Sequence, residues 1–123
     1  MRAKIRLRDT DATGVLYFTE QMRLAVQVLE EKFSLKEMLE KEAFLLPIVH
    51  AEADYFSPLT VGDEVEITLS VKTIGTTSFT LHYRLYKTEQ EVGTVTLIHV
   101  AISKADKQPI PIPSTVLEFL KTL

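Results

Sequence analysis

Apolar and polar residues alternate with two different periods along this chain, and the change of period predicts its elements. Residues 4–8 alternate, with Ile5 and Leu7 on one face, which predicts a short half-buried strand. Between residues 16 and 33 the apolar positions recur every three or four residues. This spacing predicts a single long helix.

A second apolar strip on that helix, containing Leu24 and Val28, lies on a different side from the first. A helix that is apolar on two sides needs cover on both, so we expect it to lie at the centre of the fold, largely wrapped. Residues 34–43 predict a short exposed helix with Ser34 as its N-cap.

The second half of the chain has the period of β-strands. Strands are predicted over residues 45–56, 64–72, 79–85 and 92–103, and a last short helix begins at Ser114. The strand over residues 92–103 is apolar on both faces, so we expect it inside the sheet. The sequence therefore predicts an α+β fold in which an antiparallel sheet curls round one helix, as a single domain over residues 1–123.

Composition and charge narrow the classes of partner. The 123 residues include 14 basic and 17 acidic side chains, a net charge of −3, which argues against a nucleic-acid partner. Cysteine is absent, so thiolate metal sites and cysteine nucleophiles are excluded. The first residues lack the apolar core of a signal peptide, and no stretch reaches the ~20 apolar residues that span a bilayer. We therefore expect a soluble cytoplasmic protein with no membrane partner.

The common catalytic and cofactor motifs are missing from the sequence. His50, His82 and His99 lie on separate predicted strands without a closely spaced partner, so we expect no metal site. There is no nucleophile elbow, P-loop or dinucleotide motif, and the four glycines are scattered. We therefore expect no cofactor.

The segment D-T-D-A-T-G, residues 9–14, places two acids just before the predicted long helix. One interpretation is structural: Asp9 or Asp11 caps the helix by accepting its free N–H groups. The other is catalytic: a carboxylate acts as base or nucleophile while a backbone N–H at the helix start polarises a carbonyl group. Gly14 then leaves room for a substrate beside the backbone. The pattern itself leaves both interpretations open.

The same residues resemble a known family. D-T-D-A-T-G-V-L-Y-F, residues 9–18, is similar to the D-x-D-x-x-G-V-x-Y-F motif of the 4-hydroxybenzoyl-CoA thioesterase-like branch of the hotdog-fold superfamily. The likeness continues through A-E-A-D-Y-F-S-P-L-T-V-G-D-E-V, residues 51–65, and I-P-I-P, residues 110–113. It implies a hotdog fold, an antiparallel sheet of five or six strands wrapped round a long central helix. It also implies homodimers or homotetramers whose sites lie between subunits.

The resemblance further implies a reaction and a site. The reaction is hydrolysis of acyl or aryl thioesters carried by coenzyme A or by an acyl carrier protein. Asp11 matches the family's catalytic carboxylate, as nucleophile or as general base, and Asp9 has a structural part. Gly14, Tyr17 and Phe18 match substrate-binding positions, and the Phe18 N–H matches the group that holds the thioester carbonyl.

Two departures from the family pattern bear on the substrate. Val26 stands where the benzoyl-specific member has an acid that binds a phenol hydroxyl, which favours a plain acyl group. Gly75-Thr76-Thr77 replaces a basic cluster that meets the CoA nucleotide, which makes an acyl carrier protein a second candidate donor. The alternative function is a noncatalytic acyl-thioester-binding module. Dehydration of a hydroxyacyl thioester is disfavoured, because it usually needs a histidine and none lies near D-T-D.

Overall fold

The computed structural model describes all residues from Met1 to Leu123, and most of them form one antiparallel sheet with three helices. In chain order, the strands are β1 (Arg2–Lys4), β2 (Phe44–Leu45), β3 (Ile48–Tyr55), β4 (Glu64–Ile74), β5 (Ser78–Lys87), β6 (Gln90–Val100) and β7 (Ile102–Ser103). The helices are α1 (Glu20–Lys32), α2 (Leu35–Lys41) and α3 (Ser114–Leu120). Five strands form the large sheet in the order β1-β4-β5-β6-β3, and β2 pairs with β7 separately. None of the helices is long and apolar enough to cross a lipid bilayer.

Helix α1 packs on one face of the large sheet. Its buried positions recur every three or four residues, and they are Gln21, Leu24, Ala25, Val28 and Leu29. They join a core to which β4, β5 and β6 contribute alternate residues, among them Ile67, Leu81, Leu85 and Val95. Burying each such aliphatic side chain stabilises the fold by about 1.5–3 kcal/mol. The predicted α+β fold, an antiparallel sheet around one long helix, is confirmed.

The far side of α1 is less covered than the sequence predicted. Arg23 and Glu30 are exposed there, and Val26 is only half-buried. The buried face contains Leu24 and Val28, the two residues of the second apolar strip predicted from the sequence. Within one chain, therefore, the sheet covers one side of the helix rather than all of it.

Strand β6 lies inside the sheet, between β5 and β3, as its apolar composition predicted. Val95 and Leu97 face the core, while Thr94 and Thr96 are nearly buried on the opposite face. The short helices are also confirmed: the Ser34 side chain accepts the Glu37 N–H at the start of α2.

The first predicted strand is wrong in its position. Strand β1 covers Arg2–Lys4, and Leu7–Asp9 form a 3-10 turn in which Leu7 is 77% exposed. The cause is local, because the Asp9 carboxylate accepts the Arg6 N–H at 2.8 Å and closes the turn. A period of two cannot show such a side-chain bond to the backbone.

The start of α1 also differs from the prediction, since the helix begins at Glu20 rather than near residue 16. Leu16 is held in an extended segment, where its N–H donates to the Leu59 carbonyl at 2.7 Å. Val15 forms an isolated bridge with Thr60 in the same segment. Because of these bonds, residues 15–18 form a connection that leads into α1 and are not part of the helix.

Strand β3 forms one edge of the large sheet and pairs only with β6. Its eight residues carry exposed apolar side chains, including Ile48, Val49 and Tyr55. A long edge with unpaired backbone groups and apolar side chains is one that proteins usually cover.

Candidate active site

The two acids of D-T-D have different environments. Asp9 is buried, with 5% of its surface exposed, and it accepts the Arg6 N–H. Its second oxygen lies 3.4 Å from the Arg23 guanidinium on the first turn of α1. Asp9 therefore ties the chain before the helix to the helix itself, as the structural part assigned to it requires.

Asp11 is exposed, and the turn that follows it holds its carboxylate in place. Oδ1 accepts the Thr13 N–H at 2.8 Å and the Thr13 hydroxyl at 2.5 Å. These two bonds, the hydroxyl first, lower the pKa of Asp11 below its usual 3.8. Oδ2 accepts no hydrogen bond, so an ionised oxygen is available for an outside group.

Gly14 is required by the same turn. Its φ is +80°, a conformation that other residues rarely adopt, and its N–H donates to the Asp11 carbonyl at 3.0 Å. No atom lies within 4 Å of the place where a Cβ would stand. The space beside the backbone that the sequence predicted at Gly14 is therefore open.

The N-terminus of α1 has no side-chain cap. Thr19 is the N-cap residue, and its side chain makes no capping bond. Neither Asp9 nor Asp11 bonds to the first turn of the helix through a backbone N–H, so the interpretation that one of them caps α1 is wrong. The N-terminus of α1 is therefore left without a side-chain acceptor from the D-T-D segment.

Phe18, two residues before α1, offers one of the free donors. The Tyr17 N–H donates to the Asp9 carbonyl at 2.8 Å, whereas the Phe18 N–H has no acceptor in the chain. The Phe18 carbonyl, on the other side of the same residue, accepts the Tyr55 hydroxyl, which ties Phe18 to the end of β3. The Tyr17 and Phe18 rings contact each other with centroids 4.8 Å apart, and both are exposed.

A cleft of about 310 Å³ opens beside Phe18. Most of its wall is apolar, and Gln21, Tyr55 and Ser57 add polar groups. The lining residues are Val15, Leu16, Phe18, Gln21, Tyr55, Phe56, Ser57, Pro58 and Leu59. Apolar clefts of this size with a few polar groups are typical of sites for small organic molecules.

Only one of the four predicted site residues, Phe18, lines the cleft. Asp11, Gly14 and Tyr17 do not, although the Asp11 N–H bonds to the carbonyl of the lining residue Val15 at 2.9 Å. Within one chain the carboxylate therefore lies on the turn that leads into the cleft wall. Another cavity, about 340 Å³, lies beside β1 and is lined mainly by charged residues, which suits an acyl group less well.

Gln21, which is not among the residues predicted for the site, is 2% exposed and lines the cleft. Its Nε2 donates to the Asp54 carbonyl at 2.9 Å and to the Thr94 carbonyl at 3.0 Å. A signal was present, because Gln21 is in phase with the buried residues Leu24 and Val28. A polar residue in the apolar stripe of a helix needs partners.

The three histidines lie outside the cleft. His50 is exposed on β3, and the His82 ring bonds to the Thr96 hydroxyl at 3.0 Å. His99 is buried, bonded to the Leu46 carbonyl and stacked on Phe79. Burial lowers the pKa of both His82 and His99, so each is neutral near pH 7.

Comparison with known proteins gives consistent matches along the chain. The family model described as Thioesterase-like superfamily matches residues 5–120. A 1,4-dihydroxy-2-naphthoyl-CoA hydrolase from Synechococcus elongatus is 33% identical over an alignment 123 positions long, which covers 95% of this chain and 90% of that protein. A protein of the same name from Prochlorococcus marinus is 34% identical over 116 residues, covering 85% of this chain and 77% of its own. A 1,4-dihydroxy-2-naphthoyl-CoA thioesterase from Synechocystis has a crystal structure that matches with a TM-score of 0.91 at 25% identity, covering 100% of this chain and 95% of that one.

Proposed function

This chain belongs to the thioesterase-like superfamily, and we propose that it hydrolyses aryl thioesters of coenzyme A with Asp11 as the reactive carboxylate. One observation carries the assignment of the site. A single short segment holds an exposed, low-pKa carboxylate at Asp11 and an unpaired N–H at Phe18, and Phe18 lines an apolar cleft. A thioester needs an acceptor pocket for its acyl group, a donor for its carbonyl oxygen and a nucleophile or base.

The proposed reaction uses each of these groups once. The acyl group enters the cleft, and its carbonyl oxygen accepts the Phe18 N–H, which stabilises the negative charge of the tetrahedral intermediate. Asp11 either attacks the carbonyl carbon or takes a proton from the water that attacks it. In the nucleophilic route the C–S bond then breaks to leave a mixed anhydride on Asp11, and water hydrolyses this anhydride to the free acid and the Asp11 carboxylate. In the general-base route the C–S bond of the water adduct breaks directly to give the free acid. In both routes the leaving thiolate takes up a proton, which water supplies in the first route and the protonated Asp11 in the second.

The relatives favour an aryl acyl group over the plain acyl group that Val26 indicated. Their names specify a dihydroxynaphthoyl thioester. Val26 lines a groove on the outer side of α1 with Arg23, Gln27 and Glu30, away from the cleft. Its lack of a carboxylate therefore does not bear on what the cleft binds in one chain. An acyl carrier protein stays a second candidate donor, and a cytoplasmic location is part of the proposal.

We also propose that two copies of the chain pair to complete the site. Strand β3 is an uncovered edge, and Tyr55, at its end, lines the cleft together with Phe56. A partner strand beside β3 would continue the sheet and cover these aromatic side chains. The same approach would bring the partner's surface to the open side of the cleft, where Asp11 of one chain then faces an enclosed site.

The test compares the two acids of the motif. Asp11→Asn keeps an oxygen for both Thr13 bonds but removes the charge, so we expect kcat to fall by about 10²–10⁴ with the thermal midpoint unchanged. Asp9→Asn removes a charge that pairs with Arg23, so we expect lower stability and kcat within about threefold of wild type.

The measurement uses benzoyl-, naphthoyl- and straight-chain acyl thioesters on both carriers, with thiol release as the signal. Wild-type turnover in Asp11→Asn would contradict the site assignment. Binding of acyl thioesters without hydrolysis on either carrier would instead indicate a noncatalytic module. A single turnover in ¹⁸O-labelled water tests the nucleophilic route: label in Asp11 indicates a mixed anhydride that water opens at the Asp11 carbonyl carbon, whereas label in the product acid alone indicates that water attacked the acyl carbon.

A further inference from the structure

We propose that Gln21 is a specificity-determining residue whose Oε1 accepts a hydrogen bond from a hydroxyl group on the aryl ring of the substrate. This inference rests on the proposed function and adds a chemical requirement to it, a hydroxylated rather than a plain aryl thioester. The orientation, the burial and the surroundings of one side-chain amide support it.

The orientation of the Gln21 amide is determined by two backbone carbonyls. Asp54 and Thr94, paired across β3 and β6, both direct their oxygens at the amide, 2.9 and 3.0 Å from Nε2. A carbonyl oxygen only accepts hydrogen bonds, so the nitrogen must face both of them. Both amide protons are then in use, and Oε1 is left as an acceptor without a donor in the chain.

Gly93 keeps the amide in this place. A Cβ on Gly93 would stand 2.7 Å from Nε2 and 2.8 Å from Oε1 of Gln21, and 2.8 Å from the Asp54 carbonyl oxygen. The sheet therefore approaches the helix closely enough to hold the amide between them. An amide fixed in this way presents its oxygen in one direction, which is what recognition of a single hydroxyl requires.

No other polar group in the cleft is in the same situation. The Tyr55 hydroxyl donates to the Phe18 carbonyl, and the Ser57 hydroxyl accepts from Gln90. Tyr55 is exposed, whereas Gln21 is 98% buried, since only 2% of it is accessible. When an acyl group fills the cleft and displaces water from Oε1, a group that cannot donate leaves this acceptor unpaired, which disfavours binding of that group.

The chemistry of Oε1 selects among acyl groups. A phenolic O–H donates strongly to an amide oxygen, whereas an alkyl chain or an unsubstituted ring leaves the oxygen unpaired, and a carboxylate is repelled. Space is sufficient, because an engineered cavity of about 150 Å³ holds benzene and the cleft has about 310 Å³. The cleft therefore suits a hydroxylated ring system of one or two rings.

The experiment compares matched thioesters with and without a hydroxyl group. The substrates are 2-naphthoyl-CoA and its 1-, 3- and 4-hydroxy derivatives, together with benzoyl-CoA and the three hydroxybenzoyl-CoA isomers. For wild type, we expect kcat/KM for at least one hydroxylated isomer to exceed that of its parent by about tenfold or more. Equal kcat/KM for each parent and all of its isomers would overturn the inference without affecting the proposed hydrolysis.

Gln21→Met keeps the length of the side chain but cannot bond to a hydroxyl. We expect this variant to lose the preference for hydroxylated isomers. Its rates with the unsubstituted thioesters should all differ from the wild-type rates by the same factor. The matched control is Gln27→Met, because Gln27 lies on the same helix but lines the outer groove. A purely structural role of Gln21 would lower all rates together and leave the ratio of hydroxylated to plain substrate unchanged.

Binding of the product acids provides a readout that does not depend on turnover. Calorimetric titration with 2-naphthoate and its hydroxylated derivatives should show tighter binding of a hydroxylated acid by wild type and no such difference in Gln21→Met. If no thioester is hydrolysed, the proposed function fails, and this titration still decides the role of Gln21. Equal binding of plain and hydroxylated acids by wild type would overturn that role.

Discussion

Asp11 owes its low pKa to the residue two positions after it. The Thr13 hydroxyl and N–H both donate to Oδ1, and the hydroxyl is the larger cause. Bonds to the charged form favour ionisation, so the carboxylate protonates only below its ordinary value of 3.8. Because the proposed reaction uses the ionised form of Asp11 in either route, activity should persist to unusually acid pH.

Thr13→Val tests this dependence, because it removes the hydroxyl and keeps the shape of the side chain. The pKa of Asp11 should rise toward its ordinary value, so the acid limb of kcat/KM against pH should move to higher pH. At pH 7 the carboxylate is ionised in both proteins, so little change from ionisation is expected there. The measurement is the pH profile of thiol release under kcat/KM conditions.

Thr13→Ser is the matched control, since serine retains the hydroxyl and should retain the wild-type acid limb. An unchanged limb in Thr13→Val would show that the acid limb does not report Asp11. A shift in both variants would point to the turn itself rather than to the hydroxyl bond.

The sequence offered candidate site residues only within one short motif, and it missed residues that come together at the cleft through the fold. Asp11, Gly14 and Phe18 lie within eight residues, so their chemistry could be stated from the segment alone. Gln21 bonds to Asp54 on β3, 33 residues later in the chain, and Tyr55 on β3 bonds to Phe18, 37 residues earlier. Periodicity in one segment does not show such contacts.

Helix α1 and strand β6 approach each other closely where Gly93 faces Gln21. Alanine at position 93 would place a Cβ within 2.8 Å of the Gln21 amide and the Asp54 carbonyl, one of them a backbone atom that cannot turn away. Overpacking of this kind costs about 1–3 kcal/mol. We expect Gly93→Ala to lower the urea midpoint by a corresponding amount at fixed protein concentration, and to lower activity through displacement of the amide.

Gly75→Ala is the comparison for this prediction. Gly75 lies in the turn between β4 and β5, and an added Cβ would stand 3.2 Å from the Ser78 carbonyl oxygen. That contact is tight but relaxes more easily in an exposed turn, so we expect a loss below about 1 kcal/mol. A Gly93→Ala protein as stable as Gly75→Ala would show that the helix and the sheet separate there without cost.

Periodicity predicted the elements better than their ends. The strands β4, β5 and β6 and the helices α2 and α3 follow directly from alternation, apolar runs and one N-cap. The end of β1 depends on the bond from the Arg6 N–H to the Asp9 carboxylate, and the start of α1 depends on the bond from the Leu16 N–H to the Leu59 carbonyl. These bonds join residues in a way that neither a period of two nor one of 3.6 describes.

Under the proposed pairing of two chains, the free edge at β3 would link the assembly of the protein to its activity. The other edge is the three-residue strand β1, which is too short to pair extensively, whereas β3 has eight residues. Pairing of two β3 strands about a twofold axis would join two five-stranded sheets into one continuous sheet. Dimerisation and completion of the cleft would then be the same event, so activity should fall wherever the dimer dissociates.

Val49→Glu tests this link, because it places a charge on the β3 edge where Val49 is 60% exposed in the single chain. The matched control is Val61→Glu, at a residue that is 50% exposed in the turn before β4. Sedimentation should give at least twice the mass of one chain for wild type and Val61→Glu, and the mass of one chain for Val49→Glu. The thioesterase activity of Val49→Glu per chain should be low and should rise with protein concentration, because mass action restores the pair of chains. A wild-type protein that sediments as one chain and hydrolyses thioesters at full rate would show that the cleft is complete without a partner.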